Sequence, residues 1–358
     1  MPDSQNATSR IFDCIVVGAG QSGLATGYYL RRKKVDFLLL DAEAAPGGAW
    51  QHAWDSLTLF SDAASSNLPG WPMPHYPGFP PASHVVGFLS RYEERYKLPI
   101  RRPVTVRSVE HDGHCFLVRS SAGTFRARTV IAATGTWSSP FVPFYPGTFR
   151  GRQWHTVDYP GPQAFAGQSV AVVGAANSGA QIAADLLLNG VETTWYTTHP
   201  PRWMPDDVDG RVLFQRTRTQ VVAQMRGGSQ DATDTAQAED SAAEDGPQED
   251  SDTNPLGDIV MVPPVLAARD QGLLRHTPMF HRLDEVAADH LIWATGFRPS
   301  LRPFRPVLRG RTPRVEGLFL VGYGNWAGLG SATLAGVGPF AKQAAAQAAQ
   351  LLRAESPR

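Results

Sequence analysis

The stretch IFDCIVVGAGQSGLATGYYLRRK, residues 11–33, limits what this chain can fold into more than any other feature. An apolar run of strand length ends in Gly18-Ala-Gly20-Gln-Ser-Gly23, and a helical pattern opens at once behind it. The three glycines have separate reasons. Gly18 permits a tight turn, Gly20 lets backbone meet a pyrophosphate, and Gly23 allows the helix to pack closely on the strand. The helix N-terminus then faces the phosphates. A second buried strand, VDFLLLDAE, carries Asp41, 18 residues after Gly23, as an acceptor for ribose hydroxyls. Strand, turn, helix, strand and acid together specify a parallel α/β dinucleotide-binding unit.

The pattern returns in SVAVVGAANSGAQIAADLLL. Its turn is Gly174-Ala-Ala176-Asn177-Ser178-Gly179, where Ala replaces the middle glycine, so a pyrophosphate must stand slightly farther away. The next strand, VETTWYTTH, ends in Thr198 and His199. It has neither the carboxylate that would reject a 2′-phosphate nor an arginine that would grip one, although Arg202 is near. His199 fits an exposed loop histidine equally well. Two such turns, the second interrupting the first domain, indicate an α/β protein of two Rossmann-like dinucleotide-binding domains. FAD is expected in 1–160 plus 284–358, and NADPH or NADH in the inserted domain 161–283.

Between the turns, VTVRSVEH, HCFLVRSS and TFRARTVIAAT read as a β-meander inserted in the first domain, ending in Thr134-Gly135. Residues 54–81 are rich in Pro and aromatics and predict a long packed loop. Residues 227–254 lack aromatic, Ile, Leu, Val, Lys and Arg side chains, so they cannot offset chain entropy and are expected to form a disordered acidic loop. LIWATGF and GLFLVGYGN predict two further strands, and a helix is expected near 331–353. At 358 residues two domains are the natural size. Lys plus Arg equals Asp plus Glu at 33 each, which gives no field for nucleic acid or an anionic membrane. A polar start without a leader pattern and without a membrane-length apolar run reads as cytoplasmic. Cys14 and Cys115 form no C-x-x-C pair and are too few for a structural metal site. The expected partners are a small molecule and O2, and a homodimer is compatible with this reading.

Pro46-Gly47-Gly48-Ala49-Trp50 alone is any tight turn. FRGRQWHTVDY is more specific: Phe149, Gly151, His155 and Tyr159 match the fingerprint of the class B flavin monooxygenases. That group contains the flavin-containing and the Baeyer-Villiger monooxygenases, and Tyr159 resembles the former. GGAW after Asp41, SLTLF and GWPMP in the loop, NSG at the second turn and ATGF late extend the likeness through nearly the whole chain outside 215–257. It is similar to the small bacterial flavin-containing monooxygenases, including those encoded beside arsenic-resistance genes.

The resemblance implies FAD contacts at Gly47, Gly48, Trp50, Thr134, Gly135, Asn325 and Thr333, besides the first turn and Asp41. It also implies that Gly328 to Thr333 opens the last helix with its positive end at the flavin. NAD(P) would be held by Gly174, Asn177, Ser178, Gly179, Thr198, His199 and Arg202. His155 is expected to hold an interdomain joint rather than move protons. Two departures stand out. Phe60 occupies, as an active-site wall, the place where eukaryotic members have Asn, and Gly324-Asn325 replaces Gly-Asp. The implied chemistry is hydride transfer to flavin, capture of O2 as a C4a-peroxyflavin, and oxygenation of sulfides or ketones. Rival readings are an NAD(P)H oxidase releasing hydrogen peroxide, a disulfide reductase, which the missing cysteine pair disfavours, and a non-enzymatic redox sensor.

Overall fold

The computed structural model describes residues 10–208, 210–212, 258–324, 327 and 330–354. Asn325, Gly328 and the acidic stretch 227–254 lie outside the described residues. The chain divides into two compact units, Met1–Pro140 with Phe297–Arg358, and Phe141–Gly296. The first runs β1 (Ile11–Val17), α1 (Gln21–Arg32), β2 (Phe37–Leu40), α2 (Ala82–Arg95), β3 (Ile100–Arg101), β4 (Val106–His111), β5 (Phe116–Ser120) and β6 (Gly123–Ala132). The second holds β7 (Arg152–His155), β8 (Ser169–Val173), α3 (Asn177–Leu188), β9 (Glu192–Thr197), α4 (Pro263–Asp270), β10 (His276–Pro278) and β11 (His290–Trp293). The chain then returns to the first unit with β12 (Leu308–Arg309), β13 (Thr312–Pro313), β14 (Leu318–Leu320) and α5 (Val337–Ala354).

In the first unit a seven-stranded sheet runs β3-β2-β1-β6-β5-β4, with β14 also on β6. β6 explains the mixture. Gly123 to Ala127 pair antiparallel with β5, and Val130 to Ala132 pair parallel with β14, while Arg126 to Ala132 pair parallel with β1. The meander is thus continuous with the nucleotide-binding sheet rather than a separate insertion. Leu24, Leu30, Phe88, Leu89 and Tyr92 fill one side of this sheet together with the alanine face of α5, and Val109, Phe116, Val118 and Phe304 fill the other. Small residues on α5 (Ala341, Ala344, Ala345, Ala348) let it lie close to α1.

The second unit is a parallel sheet in the order β10-β9-β8-β11-β7. β7, unforeseen as a strand, pairs Arg152 to His155 with His290 to Trp293. This pairing puts 141–160 and 284–296 with the second sheet, whereas the sequence boundaries fell at 160 and 284. The last helix begins at Val337, later than expected, because Gly330 to Gly336 form turns. Thr333 closes those turns, with Oγ1 accepting from Gly336 N at 3.0 Å.

Candidate functional site

In the first unit the fingerprint glycines separate into two kinds. Gly18 stands at φ +100°, and a Cβ there would strike the Ala133 carbonyl; one at Gly23 would strike the Gly18 carbonyl. Packing alone therefore requires both. Gly20 is different: its backbone is extended (φ −72°, ψ −170°), and a Cβ would find only Gly48 Cα, at 3.8 Å. Nothing in the described protein needs glycine at 20, so the free space in front of it is a cradle that a side chain would fill. Gly48 approaches from the other side, and its own Cβ would meet Gly20 Cα at 2.8 Å.

Gly20 is also the N-cap of α1. It supplies no side-chain acceptor, and the first turn has no acidic residue. The orphan N–H groups of that turn are thus available to an anion. Gln21 braces the place: its amide donates to Ala332 O, and its Oε1 accepts from Trp50 Nε1 at 2.9 Å. Thr134 Oγ1 lies 2.8 Å from the buried Tyr323 hydroxyl and donates to Ser300 O at 2.8 Å. Gly135, at φ +63°, has open space where its Cβ would be. Phe60 is half-buried in the loop after Trp50.

Asp41 is buried at the end of β2, and Arg102 donates from Nε to its Oδ2 at 2.7 Å. Arg102 also forks onto Glu93 of α2, at 3.0 and 2.8 Å. Burial opposes the Arg102 charge, but the hydrogen bonds to Glu93 and Asp41 outweigh it and hold the guanidinium above its ordinary range. The bond engages one carboxylate oxygen of Asp41, Oδ2, and fixes the orientation of the group. Sequence reasoning missed Arg102 and Glu93. An arginine beside Pro103 carries no local signal of a partner 61 positions away.

The second unit repeats the turn. Gly174 (φ +137°) would collide with the Ala294 carbonyl and Gly179 with the Gly174 carbonyl if either carried a Cβ. Ala176 is the exposed N-cap of α3, again with no side-chain cap and no acid in the first turn. Asn177 is committed to protein: it donates to Asp258 O at 3.0 Å and accepts from Val260 N at 2.9 Å. Ser178 is half-buried, and Thr198 and His199 are exposed just past β9. Arg202 donates from Nε to Asp258 Oδ1 at 2.9 Å.

The fingerprint residues all serve the second unit. Phe149 packs with Phe280, Leu291 and Trp293, and a Cβ on Gly151 would strike the Asp289 carbonyl. Tyr159 is buried, stacks on Phe165 at 6.1 Å and donates to Asp185 Oδ2 on α3 at 2.8 Å. His155 is 4 % exposed. Its Nε2 lies 3.0 Å from Gly296 O, and its Nδ1 accepts from Val157 N at 3.4 Å. A carbonyl only accepts, so the proton sits on Nε2. Burial holds the His155 pKa below its ordinary value. Backbone engages both ring nitrogens. Both cysteines are buried and free, and burial pushes the Cys14 thiol up to about 12. The described residues contain no cluster that could hold a metal and no helix long and apolar enough to cross a membrane.

Two glycine turns, each feeding a helix whose first N–H groups lack a protein cap, define a two-nucleotide flavoprotein. The chain belongs to the pyridine nucleotide-disulphide oxidoreductase family, whose sequence model matches residues 15–241. Within that family it is similar to the flavin-containing monooxygenase of Stenotrophomonas maltophilia, with 40% identity over 95% of this chain and 98% of the other and a TM-score of 0.79. A doubly substituted form of that enzyme gives 40% identity, the same coverage and a TM-score of 0.80. An uncharacterized CzcO-like oxidoreductase of Geobacillus kaustophilus is 29% identical over 93% of this chain and 97% of its own length. The protein is a flavin-dependent monooxygenase, and a flavin and a pyridine nucleotide are the cofactors that the names of this group carry.

Proposed function

We propose that the first unit holds FAD, that the second holds NADPH or NADH, and that the enzyme oxygenates small soft nucleophiles, sulfides above all, or ketones. The observation that carries this reading is the cradle at Gly20: a fold-independent glycine over an uncapped helix, with Gly48 facing it. That geometry suits a pyrophosphate. Asp41, oriented by Arg102, takes the ribose hydroxyls, and Gly47, Gly48 and Trp50 close over the turn. Thr134, Gly135, Asn325 and Thr333 complete the FAD set. Gly174, Ser178 and Gly179 receive the nicotinamide nucleotide, with Asn177 shaping the turn and Thr198, His199 and Arg202 at the adenosine end.

When bound, FAD supplies the redox chemistry, taking hydride from the nicotinamide and delivering one atom of O2 to the substrate. The chain binds, orients and excludes water. Phe60 is an apolar wall, while His155, with both ring nitrogens engaged by backbone, holds the Gly296 segment and moves no proton. The reading is tested by extracting the flavin, titrating the protein anaerobically with each nucleotide, and admitting air with a thioether. FAD near one per chain, bleaching by both nucleotides and sulfoxide formation support it. NAD(P)H consumption that leaves the thioether untouched and yields only hydrogen peroxide would establish an oxidase instead.

A further inference from the structure

The segment that enters α4 is tied to the nucleotide turn and to the exit of β9 at once. Arg202 stands five positions beyond Thr197, the end of β9. This is the C-terminal edge of a parallel sheet, where dinucleotides lie. Its side chain pairs with Asp258 at 2.9 Å. The backbones are joined too: Ile259 N donates to Arg202 O at 2.8 Å, and Trp203 bridges Ile259 in parallel. Asn177, in the glycine turn itself, donates to Asp258 O. Backbone bonds therefore fix Asp258 in place, and its carboxylate pairs with the Arg202 guanidinium, 47 % exposed, on the adenosine side of the site.

We propose that Asp258 is a specificity-determining residue: by occupying Arg202 it competes with a 2′-phosphate for that guanidinium, and so keeps the enzyme open to NADH as well as NADPH. The proposal rests on the reading of the second unit as the nicotinamide-nucleotide site. A guanidinium fork accepts a carboxylate or a phosphate with the same geometry. A carboxylate already at the Nε edge of the guanidinium also repels a second anion. The pair is partly exposed, so its strength is that of a surface ion pair, and its removal shifts preference without creating an absolute switch.

The test is Asp258→Asn, which keeps size and backbone bonds and removes the charge, with Thr198→Arg as a control. Anaerobic stopped-flow reduction gives Kd and the limiting rate for each nucleotide. The preference for NADPH over NADH should rise about three- to fivefold in Asp258→Asn. The gain should come from a tighter NADPH Kd with NADH unchanged, and adding Arg202→Met should return the ratio to its starting value. An unchanged ratio in Asp258→Asn while Thr198→Arg shifts its own overturns the role of Asp258 and leaves the site standing. If neither variant moves the ratio, the proposal falls together with the adenosine-end reading of β9. An equal loss of affinity for both nucleotides would show Asp258 to be only a packing residue, which also overturns the proposal.

Discussion

Gly20 and Gly23 are three residues apart in one turn, yet replacing them should give opposite phenotypes. A Cβ at Gly23 meets the Gly18 carbonyl, a backbone atom that cannot swing aside, so α1 must lift from β1. Overpacking of that kind costs about 1–3 kcal/mol, and Gly23→Ala should lower the apoprotein's melting temperature accordingly. A Cβ at Gly20 has 3.8 Å to its nearest neighbour in extended backbone. Gly20→Ala should therefore cost the apoprotein only the modest N-cap preference, under about 1 kcal/mol. The cost appears when FAD binds. A methyl in the cradle should weaken binding roughly tenfold, and the branched side chain of Gly20→Val roughly a hundredfold, as overpacking of about 1–3 kcal/mol translates at 1.4 kcal/mol per decade. Apoprotein melts and fluorescence titration with FAD measure both halves. The reasoning is refuted if Gly20→Val loads FAD with native affinity, or if Gly20→Ala unfolds as readily as Gly23→Ala.

Arg102→Met leaves the buried Asp41 and the half-buried Glu93 without their shared cation. It should destabilise the apoprotein by about 3–5 kcal/mol in urea and weaken FAD binding, with Arg102→Lys intermediate. Since Thr198 and His199 provide neither carboxylate nor guanidinium, NADH and NADPH should reduce the flavin with rate constants per concentration within roughly tenfold, about 1.4 kcal/mol. His199→Arg should tilt the comparison toward NADPH, and a hundredfold preference in the unmodified protein would contradict the reading. His155 has a folded pKa below the 6.5 of an unfolded chain, so the unfolded state takes up the proton first. Its contribution to stability is intact above that value and is lost as pH falls through the folded pKa. Melts below pH 6.5 should fall more steeply for the unmodified protein than for His155→Gln, and parallel curves would remove His155 as the cause.

The glycine turns were legible because much of what they need is local: positive φ at Gly18 and Gly174, the clash of Gly23 with the Gly18 carbonyl and an uncapped helix act within a few residues. The carbonyls of Ala133 and Ala294 that crowd the first glycines, by contrast, come from far along the chain. β7 was not, because RQWH has no strand periodicity and owes its conformation to the neighbouring β11. The roles of Phe149, Gly151 and Tyr159 as packing residues of the second unit depend on Trp293, Asp289 and Asp185, all far along the chain. Arg102 was hidden for the same reason. The short helix α4 did carry a signal, since Pro263 and Pro264 stand in its first turn and Arg269 in its last. The start of the last helix was read too early because the glycine-rich approach at 330–336 resembles a helix entry while its bonds are those of turns.

The most direct test of the account follows the oxygen. The holoenzyme is supplied with NADPH, a thioether and 18O2, and sulfoxide, hydrogen peroxide and oxidised nucleotide are counted together. The account predicts sulfoxide carrying one atom of 18O, formed in near-equal amount to NADPH consumed, with little peroxide. Peroxide equal to NADPH consumed, with the thioether recovered unchanged or oxygenated without label, would contradict it.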